Sequence, residues 1–503
     1  MYLLGIDVGT SSIKVSIVKS ATQEIITSAQ FPETESEIKS VHPGWAEQSP
    51  DMWWEHVRQA ITKANSSGLY NPQEIEAIGI AYQMHGLVIV DNDQNVLRDS
   101  IIWCDSRAVE IGKKAFDAIG EEKSLSHLLN SPGNFTASKL AWVKTNEPEV
   151  FSKIDKVMLP GDFIAMKLTG KVTTSESALS EGIFWDFKNE EISKDVISYF
   201  GFADSIIPEV KNVFANHGEV SDEVAKALSL RPGIPVAYKA GDQPNNALSL
   251  NVLKPGEVAA TAGTSGVIYG VSDTLAYDPQ SRVNTFAHVN HTTKERHLGI
   301  LLCINGTGIL NRWIKDLIGS GISYSEMNTK ASGIEIGSKG LRVLPFGNGA
   351  ERMLNNRIVG AHFSNIDLNI HTNAHIFRAV QEGIAFAFRY GLDIMRENGM
   401  DPKVIRVGKA NLFLSSVFTE AFVNATNVPV EFYANDGSAG AALGAGIGAG
   451  IFSSEEEAFS NMKPLDLIQP TKAEEYNQVY QDWKKQLENQ LGTTVSIAEE
   501  VAL

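Results

Sequence analysis

LLGIDVGTSSIKVSIV, Leu3 to Val18, is the stretch from which the rest of the chain is read. Its apolar residues form two short runs of strand formers, Leu3 to Val8 and Ile13 to Val18, parted by Gly9-Thr10-Ser11-Ser12. That pattern predicts a β-hairpin with a polar tip. A glycine there lets backbone approach a ligand closely, and the successive N–H groups of a tight turn form a concavity that attracts anions. Asp7 ends the first run beside that concavity. A carboxylate next to phosphate oxygens is repelled unless a cation bridges them, so Asp7 points to a magnesium ion held through water. The same residues also fit an ordinary hairpin whose Asp and Thr only satisfy the turn.

A second hairpin of this design stands far along the chain. GEVAATAGTSGVIYGVS, Gly256 to Ser272, places Gly263-Thr264-Ser265-Gly266 between two strand-like runs. Two such tips from distant halves can grip one polyphosphate from both sides. The pair is more specific than either tip, and it resembles the superfamily of sugar kinases, actin and heat-shock chaperones, whose two domains each bring such a hairpin to ATP. The resemblance implies an α/β chain of the ribonuclease H-like, actin-type ATPase fold, with two lobes, each a mixed five-stranded sheet flanked by helices.

Composition narrows the function. The 503 residues are too many for one core and enough for two or three domains. A hydrophobic content of 43% with 20% charged residues describes a soluble globular chain. The net charge of −17 argues against a broad nucleic-acid surface or attachment to anionic membrane. Bound phosphate must then be met by local N–H groups, a few cations and a metal. Cys104 and Cys303, with no C-x-x-C, read as buried thiols of a reducing compartment, here the cytoplasm. The N-terminus lacks the basic region of a signal peptide. GSAGAALGAGIGAGIFSS, Gly437 to Ser454, is too rich in glycine for a membrane span and reads as a tightly packed helix and turn.

Between the hairpins, HPGWAEQSPDMWWEHVRQAITKA (His42 to Ala64) predicts a helix opened by Pro50 and capped by Ser49, burying Trp53, Val57, Ala60 and Ile61. Trp45, outside that helix and next to Gly44, is a candidate wall for a substrate. AYQMHGLVIVD (Ala81 to Asp91) sets Gln83, Met84, His85 and Gly86 at a strand end, where open α/β sheets place ligands. IIWCDSRA (Ile101 to Ala108) repeats strand then polar turn, and Asp105 there fits a helix cap as well as a site residue. GIPVAYKAGDQPNNALSL (Gly233 to Leu250) brings Asp242 to a strand end, where the residues permit either a helix cap or a functional carboxylate.

The order DVGTSSIK, GWAEQSP, QMHG, WCDSR, FTASKLAWVKTNEPEVF (Phe135 to Phe151) and LPGDFIAMKLTG (Leu159 to Gly170) is similar to that of the FGGY carbohydrate kinases, and the QMHG tetrad resembles their xylulokinase branch. This resemblance implies transfer of a phosphoryl group from ATP, with Mg2+, to the terminal hydroxyl of a ketose, D-xylulose at O5. A gluconokinase, or a ribulose or sedoheptulose kinase, is the alternative. It implies Asp242 as catalytic base, and Asp7 and Asp242 holding the metal through water. Met84, His85, Asp105, Gln243 and Trp45 are the expected sugar contacts. Gly9, Thr10, Ser11, Lys14, Gly263, Thr264, Ser265, Gly408 and Asn411 are the expected ATP contacts, the last two in IRVGKANLFL (Ile405 to Leu414). Thr174 stands where the family has an Asp, so the stretch Thr173 to Ala178 is given no role. No G-x-x-x-x-G-K-[ST] loop occurs, which excludes P-loop binding of ATP. The expected partners are sugar and ATP, without nucleic acid or membrane and with a homodimer left open. The expected domains are 1–241, 242–465 and a C-terminal helix in 466–503 that packs back on the first.

Overall fold

The structure, a computed structural model, describes residues 1–319, 321–434 and 436–493. The end of the expected 466–503 segment, residues 494–503, lies outside them. Two compact units divide the chain, the first formed by residues 1–253, 285–299 and 436–462. Its sheet has the five strands expected, in the order Val236–Gly241, Ile75–Tyr82, Tyr2–Val8, Ile13–Lys19 and Ile25–Phe31. Tyr2–Val8 runs antiparallel to its hairpin partner and parallel to Ile75–Tyr82, which is parallel to Val236–Gly241.

Alternation decides which face each residue serves. Leu4, Ile6 and Val8 point into a core with Trp53, Val57, Ala60 and Ile61 of the helix Pro50–Asn65, whose Ser49 hydroxyl accepts the Met52 N–H as the sequence predicts. Leu3 joins the opposite core with Ala441, Ala442 and Ala445 of the helix Gly437–Gly448. That helix lies almost on the sheet: a methyl group on Gly5 would stand 1.7 Å from the Ser438 carbonyl oxygen, and one on Gly79 1.9 Å from that of Ala441. The small residues at 437–448 are therefore the packing surface of the first unit.

The second unit, residues 254–284, 300–434 and 463–493 of those described, is built on Glu257–Ala262 and Gly266–Ser272, the second hairpin, and on Val404–Gly408 and Val430–Tyr433, which continue the sheet in parallel from Glu257–Ala262. This sheet has seven strands rather than the expected five, one of them the antiparallel Asp466–Ile468. The long helix Asn373–Glu397 fills its core.

Three expectations are corrected. The helix Ala473–Thr493 packs on the second unit, not the first: Tyr476, Tyr480, Trp483 and Leu487 recur at helical spacing and bury against Phe386 and Phe346, and the Trp483 indole donates to the Val343 carbonyl at 2.7 Å. Helix Asp242–Ser249, placed in the second domain from the sequence, stays with the first unit, to which residues 285–299 and 436–462 also return. Both cysteines are exposed rather than buried.

Candidate functional site

The carboxyl ends of three parallel strands meet at one edge of the first unit. Val8 and Gly241 both stand opposite Tyr82 in register. Register therefore brings Asp7 with the Gly9-Thr10 tip, the Gln83-Met84-His85 run and Asp242 together, at the edge where such sheets bind ligands. Asp242 is the first residue of its helix, whose N-cap is Gly241 with no side-chain cap bond. Its carboxylate is thus not a cap, although Gln243 donates to it from backbone and side chain. Both aspartates keep part of their surface open, yet dense surroundings disfavour their charge. Burial first and then the charge of Asp7 push Asp242 up to about 7. Burial and then Asp436 push Asp7 up to about 6, against the opposing pull of Lys14.

Lys14 is ion-paired with Asp436, and Asp436 in turn caps the helix Gly437–Gly448 by accepting from Ser438 and Ala439 N–H at 3.0 and 3.2 Å. A methyl group on Gly437 would lie 2.7 Å from Asp7 Oδ2, which places that helix start against Asp7. Among the described residues no group of three or more His, Cys, Asp or Glu is set to hold a metal directly. Two mutually repelling carboxylates with raised pKa values nevertheless fit a hydrated divalent cation, which relieves the repulsion and leaves other coordination positions to water and phosphate.

His85 has a backbone φ of 63°, the left-handed region that a histidine occupies at a cost of about 1–3 kcal/mol. Glu181, buried and reached by no sequence expectation, holds it there: Oε2 accepts the His85 N–H at 2.8 Å, while Oε1 accepts the Tyr82 hydroxyl at 2.8 Å. The imidazole is flanked by Phe135 and Phe286 at 4.8 and 5.4 Å between ring centres. Met84 lies buried next to it. Asp105 is fully buried, accepting from the Ala46 N–H at 2.6 Å and gripping the Arg107 guanidinium. It caps no helix, since the next one starts at Val109. Trp45 carries that guanidinium on its face, 3.8 Å from the ring centre. Asp105 and Trp45 are thus bound to each other's partner. The Thr10 hydroxyl donates to Gln83 Oε1 at 3.1 Å and accepts from the Trp103 indole at 3.0 Å, so its proton is engaged within the protein.

The second unit holds a cavity of about 380 Å3 lined by Gly263, Thr264, Gly308, Asn311, Arg312, Tyr324, Asn328, Asn411 and Leu412 among others. It opens beside the second hairpin tip, whose carbonyls at Gly263 and Thr264 accept the N–H groups of Gly308 and Ile309 at 3.0 Å each, tying the tip to the start of the helix Gly308–Ile318. Asn411 of the expected set lines it in a left-handed conformation, φ 53°. Ser265 and Gly408 do not line it; Gly408 ends its strand opposite Tyr433. The buried Asn311 side-chain oxygen has no hydrogen-bond partner among the described residues. Glu351, also buried, accepts from the N–H groups of Asn305 and Gly306 and fixes the turn that precedes Gly308.

Residues 2–249 match the N-terminal domain of the FGGY family of carbohydrate kinases, and residues 258–451 its C-terminal domain. The chain belongs to the FGGY family of carbohydrate kinases. It is 28% identical over 501 residues to a xylulose kinase of Lactococcus lactis, covering 97% of both chains. It superposes on the xylulose kinase of Rhodospirillum rubrum with a TM-score of 0.88 at 25% identity, covering 97% of this chain and 99% of the other. A gluconate kinase of Lactobacillus acidophilus shares the fold at 20% identity, with a TM-score of 0.88 over 97% and 98% of the two chains.

In this FGGY carbohydrate kinase three residues that no sequence expectation reached stand beside the candidate site residues. Glu181 follows the stretch given no role, and its only local signal is an acid ending a run of small and apolar residues that is buried throughout. Asp436 stands one position before the glycine-rich segment and carries no local sign of a site, yet it pairs with Lys14, 422 positions away. Phe286 stands in a strand with nothing in its neighbourhood to suggest a ligand. No helix among the described residues is long and apolar enough to cross a membrane.

Proposed function

We propose that this FGGY kinase transfers the γ-phosphoryl group of ATP to the terminal hydroxyl of a ketose, D-xylulose at O5. The observation that carries the reading is the meeting of Asp242, Asp7 and the Met84-His85 pair at one sheet edge. Similarity to the xylulose kinases of known sequence supports the choice of sugar.

A sugar hydroxyl is about as weak an acid as water, far weaker than any carboxyl group. Asp242 therefore orients that hydroxyl and accepts its proton late, as a loose phosphoryl-transfer transition state requires. Without a cation, burial and the Asp7 charge disfavour the ionised form of Asp242, so a positive charge beside it is needed to hold it as the carboxylate that accepts the proton. Asp7 and Asp242 would hold magnesium through water; when bound, it supplies the positive charge that neutralises the phosphoryl oxygens. Because the Thr10 hydroxyl is engaged by Gln83, the donors of the first tip are the backbone N–H groups of Gly9, Thr10 and Ser11. Lys14 and Asp436 hold each other beside that tip. In the second unit, Gly263 and Thr264 meet phosphate, and the cavity bounded by Asn411 and Asn311 takes the adenosine. His85 and Met84 meet the ketose, with Gln243 next to the base. Asp105 and Trp45 shape the wall through Arg107 rather than by direct contact.

A coupled ADP-release assay over D-xylulose, D-ribulose, D-gluconate, sedoheptulose and glycerol tests the substrate. Turnover is expected to be highest with D-xylulose, and preference for any other of the five overturns that assignment. Asp242→Ala is expected to lower kcat by about 10²–10⁴-fold while ADP affinity stays within about twofold. Retained turnover would remove Asp242 from the role of base.

A further inference from the structure

The polar stretch Thr173–Glu181 has no part in the reaction as described, yet it ends in a deeply buried carboxylate beside the proposed sugar contacts. The Glu181 side chain is 1% exposed. A buried carboxylate is tolerated only when its oxygens are met, and here the donors come from the strand that carries His85. Tyr82 reaches Oε1 and the His85 backbone N–H reaches Oε2, both at 2.8 Å. The Glu181 backbone carbonyl adds a third link, lying 3.0 Å from His85 Nδ1. On the other side of the same residue, the His85 carbonyl accepts Lys139 Nζ at 2.9 Å and the Thr136 hydroxyl at 3.3 Å. A methyl group on Gly241 would meet Glu181 Oε1 at 3.2 Å and Met84 Cγ at 2.6 Å, so Glu181 also touches the residue before the proposed base.

We propose that Glu181 is a positioning residue for sugar recognition: it holds the left-handed backbone of His85 and, with its own carbonyl, fixes the imidazole as the Nδ1–H tautomer. This rests on the reading that His85 meets the sugar. The carboxylate's two hydrogen bonds come from donors, and an amide oxygen and a tyrosine oxygen can reproduce both; Oε2 also lies 3.5 Å from His85 Nδ1.

Three variants and one spectrum test it. Glu181→Leu is expected to raise the ketose KM by about 10–100-fold, the loss of a hydrogen-bonded buried carboxylate, with the ATP KM within about twofold and kcat much less affected. Glu181→Gln should bring the ketose KM back to within about threefold of the unaltered protein. Tyr82→Phe, which removes one anchor and leaves the volume unchanged, should raise the ketose KM by about three- to tenfold and serves if the leucine variant does not fold. A ketose KM that stays within twofold in both the leucine and phenylalanine variants overturns the proposal, as does an equal rise in the KM of ATP. Histidine 15N–1H correlation spectra of the unliganded protein should show His85 protonated at Nδ1, with the signal shifted in Glu181→Leu, which leaves the backbone carbonyl and removes the neighbouring carboxylate. A mixture of tautomers in the unaltered protein overturns it. If no sugar of the panel is turned over, the substrate reading fails while the spectrum still decides the role of Glu181.

Discussion

At the scale of single residues, the two aspartates of the candidate site carry a stability penalty. Asp242 ionises near 7 in the fold, above the ordinary aspartate range near 3.8. Between those values the unfolded chain has released a proton that the folded chain keeps, so stability falls as pH rises from about 4 to about 7 and is level above. Asparagine is neutral in both states and escapes the penalty. Asp242→Asn should therefore raise Tm by about 2–4 °C at pH 8 in metal-free buffer and leave it unchanged at pH 4. A gain of the same size at both pH values would trace the effect to something other than ionisation. The candidacy of Asp242 was legible from its place at a strand end, and that of Met84 and His85 from their tetrad. Glu181 was not, because what makes it matter is a hydrogen bond to a residue 96 positions earlier.

At the scale of elements, turn chemistry and period explain what was readable. The Ser49-Pro50 start and the apolar spacing of the first helix carry their own evidence, and so does each hairpin. Asp105 shows where such reasoning stops: a residue that looks like a cap is held instead by an arginine two positions on. The helix Gly437–Gly448 depends on glycines in the sheet it covers, so Gly79→Ala should cost about 3 kcal/mol or more in a urea melt, because backbone stands where its methyl group must go. On the C-terminal helix, Trp483→Ala should cost about 3–5 kcal/mol through an emptied site and an unpaired Val343 carbonyl. Little loss in that variant would argue that the helix is not integral to the second unit.

At the scale of the whole molecule, the first unit is assembled from three stretches of chain, and its sheet is covered by a helix that arrives after most of the second unit has been made. Residues 1–253 expressed alone should lack near-ultraviolet circular dichroism of a packed core and aggregate, and co-expression with 254–503 should restore both solubility and ketose phosphorylation. A folded monomer of 1–253 would contradict this dependence. The sequence by itself determined the two hairpins, the order of motifs, the candidate base and the family, because alternation, turn residues and strand-end carboxylates act within a few positions of one another. Only tertiary structure decided that Asp436 faces Lys14, that Phe286 joins His85, that Glu181 holds it, and which unit the last helix covers. Those pairings join residues far apart in the chain, and they are selected by burial and by the need to satisfy buried polar groups, neither of which leaves a local pattern.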